Sequence, residues 1–266
     1  VQASDAIPSD IDEALTRAGS RLGPFQGGLA WYESVASTND LAGGMAEHGA
    51  AEGCVVAANA QTSGRGRLGR SWASPPGAGL YVSAILRPVR DVIPLITIAA
   101  GVAVADGVQA ASGLSPRVKW PNDVYVGRRK LAGILAEAGG SGSGVQHVIL
   151  GFGINLLTAA YPPDVAARAT SIESELGRRC DRGLVLAECL AALVDRYQAL
   201  QRGEADAVTL AWRERAADSL GRIVEWDADG TTRRGVAQDI DSRGALLVRV
   251  DGAIVRVISG EMRWLW

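Results

Sequence analysis

Two short segments of this chain carry the side chains that could do chemistry on an anion. In the first, Gln61-Thr62-Ser63-Gly64-Arg65-Gly66-Arg67-Leu68-Gly69-Arg70, glycines alternate with arginines and Trp72 follows closely. Glycine lets the backbone approach a ligand and take positive φ, while guanidinium forks grip phosphate or carboxylate through paired N–H bonds. The order GxxxxGK[ST] is absent, and no acidic ribose-binding residue follows a suitable βα unit, so neither common nucleotide fingerprint applies. Arg-Gly spacing also occurs in disordered nucleic-acid-binding tails, but here it runs straight into Trp72 and a well-patterned strand. The spacing therefore predicts an anion-binding loop, open when empty and ordered when an anion arrives.

In the second segment, Lys119-Trp120-Pro121-Asn122-Asp123, Pro121 fixes its own φ and restricts Trp120, which holds Asn122 and Asp123 in a rigid turn. An Asx-turn at Asn122 and an ion pair between Asp123 and Arg128 would be the plainer use of these residues. Lys130 follows seven residues after Asp123, a spacing suited to a hairpin that returns its side chain to the same sheet edge. An ammonium there could stabilise charge that develops on phosphoryl or carboxyl oxygens. Lys119 and Lys130 are the only lysines, every other cation being arginine. Neither His48 nor His147 lies near these segments, and no Ser-His or Cys-His nucleophile pair is suggested.

Charge distribution sharpens the point. The formal net charge is −2, yet residues 65–130 hold ten basic and three acidic side chains, while the rest of the chain holds 17 basic and 26 acidic. One region is built to meet an anion. Three cysteines with no CxxC argue against a disulfide framework or structural zinc. The uncharged apolar run at residues 92–105 contains Pro94 and Gly101 and is too short to span a bilayer. With no basic-then-apolar signal at the start, the expected location is cytoplasmic.

Elements must position these residues, and the pattern predicts them. A helix is expected over residues 9–18 with Ser9 as cap, and another from Asn39 towards His48 capped by Thr38. Strands are expected at 29–33, 54–58, 80–86, 117–120, 130–137 and 147–152. Helices are expected at 94–111, 183–200 and 205–217, and a flexible turn at 139–144. From about Leu220 short strands alternate with turns at 227–230, 241–244 and 251–252, the pattern of a small barrel. The expected class is α+β: a mixed, largely antiparallel sheet with packed helices at residues 1–218, and a small β-barrel domain at 219–266.

Taken together, Ser37-Thr38-Asn39, the Gln61 to Arg70 loop with Trp72, Lys119-Trp120-Pro121-Asn122-Asp123, Arg129-Lys130-Leu131-Ala132-Gly133-Ile134-Leu135 and Gly151-Phe152-Gly153-Ile154-Asn155 resemble the biotin protein ligases, in the short form without a DNA-binding domain. The resemblance covers residues 37–155, and the C-terminal barrel extends it to nearly the whole chain. It implies a catalytic domain like that of class II aminoacyl-tRNA synthetases with an SH3-like barrel behind it. The implied activity is an ATP-dependent ligation: biotin and Mg-ATP give biotinyl-5'-AMP and pyrophosphate, and biotin then passes to one lysine of a biotin carboxyl carrier protein. Mg2+ is expected mainly on the ATP phosphates. The resemblance assigns the biotin ureido head to Ser37, Thr38 and Gln61 with backbone at Gly64 and Gly133, and counts Asn39 among the ligand-binding residues. It assigns phosphate binding and retention of the intermediate to Arg65 and Arg67, and contact with both carboxylate and α-phosphate to Lys130. Asp123 is implied near the reacting carboxyl and the incoming lysine, and Trp72, Asn122 and Asn155 near adenine. Leu68 stands where other members carry arginine.

Two other readings compete. A lipoate- or octanoate-protein ligase shares the fold and the adenylation chemistry, although Gln61 with Ser37 and Thr38 suits a ureido head better than a dithiolane. A nucleic-acid-binding regulator would explain the basic segment but not its rigid turn. No DNA binding and no membrane are expected, and the chain is expected to be a monomer or a homodimer.

Overall fold

The computed structural model describes residues 3–140, 144–158, 163–228 and 230–265. The chain runs α1 (Ser9–Ala18), β1 (Leu29–Tyr32), α2 (Thr38–Glu47), β2 (Val55–Ala58), β3 (Gly79–Leu86), α3 (Ile96–Ser112), β4 (Arg117–Lys119), β5 (Asp123–Val126), β6 (Arg129–Gly139) and β7 (His147–Asn155). It continues through α4 (Pro163–Ala166), α5 (Ile172–Leu176), α6 (Arg182–Gln201) and α7 (Ala205–Arg215) to β8 (Ile223–Ala228), β9 (Thr231–Ile240), β10 (Leu246–Val250), β11 (Ala253–Val257) and β12 (Met262–Leu265). Strands β1 to β7 form one sheet in the order β1-β2-β3-β7-β6-β5-β4, parallel only between β1 and β2. Strands β8 to β12 form a second, antiparallel sheet in the order β11-β10-β9-β8-β12, consistent with an SH3-like fold.

Alternation along the strands divides the large sheet into two unequal faces. Leu80, Val82, Ala84 and Leu86 of β3 point into the main core with α1, α3 and α6, while Ile85 and the buried Ser83 point to the opposite face, which α2 covers. The apolar helical stretch Arg90–Ser112 is long enough to cross a membrane, longer than its uncharged run suggests, yet most of it is buried in that core. Its Gly107 permits contact with α6, because a Cβ there would lie 2.5 Å from the Cys189 backbone.

Both predicted helix caps are displaced by one residue, and one difference matters for the site. Ser9 is the first residue of α1, after Pro8. Ser37, not Thr38, caps α2: it is extended and accepts from the Asp40 N–H at 3.4 Å. That shift releases the Thr38 hydroxyl from capping. The turn expected at 139–144 is only partly inside the described residues, since 141–143 lie outside them, as does residue 229 of the turn at 227–230.

The small sheet is tied to the rigid turn of the large one. The buried Trp120 donates its indole N–H to the Gly244 carbonyl at 2.9 Å, Ser219 donates to the Val118 carbonyl at 3.3 Å, and Arg213 pairs with Asp239 at 2.6 Å. Pro121 follows a cis peptide bond.

Candidate active site

Strand register brings the sequence-predicted residues into rows on the α2 face of the large sheet. One row reads Lys119, Asp123, Gly133, Gly153 and Tyr81 across β4, β5, β6, β7 and β3; the next reads Leu135, Gly151 and Ser83 across β6, β7 and β3. Lys130 joins this face through a bulge. One step on β5, from Val124 to Tyr125, opposes two steps on β6, from Ala132 to Lys130. The extra residue reverses the alternation, so Lys130 shares a face with Gly133 although the two are three positions apart.

Glycines keep the floor low. A Cβ at Gly153 would sit 2.5 Å from Trp72 Nε1, one at Gly133 would sit 2.9 Å from the Trp72 ring, and one at Gly151 would sit 2.1 Å from Asn39 Oδ1. The space above is a cavity of about 480 Å³, closed by the arginine-glycine loop on one side and by residues 260–264 of the small sheet on another. The loop is a short hairpin: Gly66 donates its N–H to the Arg70 carbonyl at 2.7 Å, and Trp72 donates to the Gly64 carbonyl at 2.8 Å. At its tip Leu68 holds φ of 57° and is exposed, a left-handed conformation that a non-glycine residue seldom takes. Arg70 forms an ion pair with Glu261, linking the loop to the small sheet.

At one end of the cavity uncharged, buried or half-buried groups bond to one another, with the Glu137–Arg65 ion pair at their edge. Gln61 Oε1 accepts from the Thr38 N–H at 2.8 Å and lies 3.1 Å from the Thr38 hydroxyl oxygen, while its Nε2 donates to Ser74 Oγ at 2.8 Å. Ser83 Oγ lies 2.8 Å from Thr38 Oγ1 and 2.6 Å from Asn39 Oδ1. Asn39 Nδ2 donates to Glu137 at 2.7 Å, and Arg65 donates to the same Glu137 oxygen at 2.5 Å.

At the other end cations crowd around one carboxylate. Lys130 Nζ meets Asp123 Oδ1 at 2.5 Å and lies 5.2 Å from the Trp72 ring. Lys119 Nζ lies 3.8 Å over the Tyr125 ring, whose hydroxyl donates to Asp123 at 3.4 Å. Arg67 donates to Asn122 Oδ1 at 3.4 Å. Burial is the main reason that the Lys119 ammonium is pushed down to about 8; Asp123 opposes this and Lys130 adds to it. Burial likewise lowers Arg67 against the pull of Asp123, and raises the Tyr125 phenol together with the adjacent Asp123 charge. A set of cations held at a loss in water-poor surroundings is a site prepared for added negative charge.

Most candidate residues meet here: Ser37, Thr38, Asn39, Gln61, Arg65, Arg67, Trp72, Asn122, Asp123, Lys130 and Gly133 all line the cavity. Two do not. Gly64 lies behind the lining, where a Cβ would come within 2.5 Å of the Trp72 carbonyl oxygen, and Asn155 is buried with its Nδ2 donating to the Thr170 carbonyl at 3.0 Å. Asn122 also spends its amide on the fold, donating to the Ile134 carbonyl at 2.7 Å. Lys119, Tyr125, Arg70 and Arg168 line the cavity without having been singled out as site residues. Ser83 was missed although a polar residue inside the run Gly79–Leu86 marks it, and Tyr125 stands two positions after Asp123, on the same side of a strand. Among the described residues no group of His, Cys, Asp and Glu could hold a metal ion.

Comparison with known proteins gives the family. Residues 31–155 match the biotin/lipoate A/B protein ligase family, and residues 219–263 match the biotin protein ligase C terminal domain. The chain is 32% identical over 259 residues to the bifunctional ligase/repressor BirA of Bacillus spizizenii, covering 96% of this chain and 79% of that protein. It is 35% identical to the biotin–[acetyl-CoA-carboxylase] ligase of Mycobacterium tuberculosis, covering 85% of each. Among solved structures, the biotin protein ligase of Aquifex aeolicus in complex with biotin and ATP superposes with a TM-score of 0.79 at 26% identity, covering 90% of this chain and 99% of that one.

Proposed function

On the premise that this chain belongs to the biotin/lipoate A/B protein ligase family, as a biotin protein ligase with its C-terminal domain, we propose that it joins biotin to ATP as biotinyl-5'-AMP, releases pyrophosphate, and passes biotin to a lysine of a biotin carboxyl carrier protein. The observation that carries this reading is the bulge-driven arrival of Lys130 beside Asp123, with Arg67 and Lys119 facing the same space. A carboxylate and a triphosphate repel each other, and only a cationic centre lets them meet. The division at residues 218 and 219 separates a catalytic unit from a small sheet that supplies one wall of the cavity.

In this reading biotin's ureido head sits at the Thr38–Gln61 end, where hydroxyl and amide groups match one carbonyl and two N–H groups. The biotin carboxylate attacks the α-phosphate of Mg-ATP, the metal arriving on the nucleotide. Lys130 bridges carboxylate and phosphate oxygens, and Arg65 and Arg67 offset the charge while pyrophosphate leaves. Trp72 and Asn122 line the nucleotide side; Asn155 acts from beneath by holding Thr170. In the second step the acceptor amine attacks the acyl carbon of the mixed anhydride, the bond to the phosphate oxygen breaks and AMP leaves; Asp123 orients that amine and takes its proton once Lys130 has moved onto the ligand. Closure of the arginine-glycine loop keeps water from the anhydride.

The test is direct. Purified protein is incubated with Mg-ATP, a biotin carrier domain and either biotin or lipoate, and acyl-carrier mass and pyrophosphate are measured. The expected outcome is biotinyl carrier with matching pyrophosphate; lipoyl carrier without biotinyl carrier would overturn the choice of substrate.

A further inference from the structure

Arg65 differs from its neighbours in how it is held. Among the described residues Arg67 donates to the Asn122 amide oxygen, whereas Arg65 meets Glu137 at 2.5 Å and Asp40 at 2.8 Å through the same terminal nitrogen. One N–H of that nitrogen donates to Glu137 while Asp40 pairs with the same nitrogen by charge, and the donors at the other end of the guanidinium are left for an anion. An unrestrained arginine at the edge of a glycine-rich loop would sample many rotamers; this one is pinned at one end.

Glu137 is itself fixed, and the direction of every bond behind it follows from its charge. A carboxylate only accepts, so Asn39 must present Nδ2 to Glu137 and Oδ1 to Ser83. Ser83 has one proton, which Asn39 Oδ1 then takes, and Ser83 Oγ is left to accept from Thr38. Gln61 keeps the Thr38 N–H in either case. Ser83, Thr38 and Asn39 are all buried, where a satisfied chain of hydrogen bonds is strong and an unsatisfied one is costly. Gly151 leaves room for the Asn39 amide.

We propose that Glu137, with Asp40 beside it, is the positioning residue for Arg65: the two carboxylates hold one end of the guanidinium so that its remaining donors face the reacting phosphate. This rests on the reading of Arg65 given under Proposed function. Glutamine at 137 can donate as well as accept, so it neither attracts Arg65 by charge nor dictates the order of the chain behind it.

The test is a double-mutant cycle in biotin-dependent ATP–pyrophosphate exchange, with biotin binding followed by calorimetry. Glu137→Gln should lower the exchange kcat about tenfold while the biotin Kd moves less than about threefold, and it should have no further effect in an Arg65→Ala background. Asp40→Asn, an exposed substitution that leaves folding aside, should lower kcat about threefold and also lose its effect once Arg65 is absent. Equal losses with and without Arg65, or an unchanged kcat in both single variants, would overturn the proposal. If Glu137→Gln does not fold, the Asp40 cycle decides alone. Absence of biotin-dependent exchange in the unaltered protein would instead count against the proposed function.

Discussion

The two ends of the cavity are built on opposite principles. Around Thr38 and the half-buried Gln61 the groups are uncharged and bonded to one another, with the buried Ser83 and Asn39 completing the set. Around Asp123 there are Lys119, Lys130 and Arg67, more positive charge than one carboxylate can offset, with burial depressing Lys119 and Arg67. The first end is finished without a ligand, and a guest must match hydrogen bonds that already exist. The second is finished only by an anion. In the proposed function, specificity and catalysis are separated along one sheet face: the neutral end selects, and the cationic end supplies the field that the reaction needs.

Substitutions should damage one end and spare the other. The largest effect is expected from Lys130→Ala, which should slow adenylate formation about a hundred- to a thousandfold with biotin affinity changed only severalfold, as measured by single-turnover pyrophosphate release and calorimetry. Arg67→Gly should come next: the intermediate should dissociate about tenfold or more faster and label lysines on bystander proteins, seen by mass spectrometry. Gly151→Ala attacks the neutral end. Its methyl group would overlap Asn39 Oδ1, so biotin affinity should fall and stability should drop by about 1–3 kcal/mol in urea unfolding.

The smallest effect carries an unusual sign. Lys119→Met should slow adenylation yet stabilise the fold on the order of 1–3 kcal/mol at neutral pH, because it removes a charge that the folded state holds at a cost. The folded-state value is about 8 against an ordinary 10.5. Below pH 8 both states of the unaltered protein carry the charge and the full penalty applies. Between 8 and 10.5 the folded state has released its proton while the unfolded state still holds one, so stability of the unaltered protein rises with pH. The advantage of the variant, followed by thermal unfolding at several pH values, should therefore shrink across that window.

Sequence and structure meet at different depths in these two regions. The cationic end was legible because its residues cluster in two motifs of unusual composition, Gly64 to Arg70 and Lys119 to Asp123, and because proline and glycine reveal where the backbone turns. The hairpin spacing to Lys130 also pointed correctly, although the reason is a bulge that no spacing discloses. The neutral end was half legible: Thr38 and Gln61 were named, but Ser83 and Glu137 come from strands far along the chain and meet only through the register of β3, β7 and β6. Capping preference pointed to Thr38, and Ser37 took the cap instead because its extended backbone immediately precedes the helix. Asn155 illustrates the opposite case, a residue in a recognisable motif whose side chain serves the fold beneath the cavity. The small sheet was visible as strands and turns, but not its role as a wall, which depends on Trp120 and Arg70 reaching across to it.

Convergence of Lys130 with the loop arginines on one oxygen-rich centre is the claim on which the mechanism stands. A crystal structure with a hydrolysis-resistant biotinyl-5'-AMP analogue tests it most directly. Lys130 Nζ should have left Asp123 and lie within about 3 Å of a carboxyl or phosphoryl oxygen of the ligand, with Arg67 on the same phosphate. A filled cavity in which Lys130 remained on Asp123, out of reach of every ligand oxygen, would contradict the account.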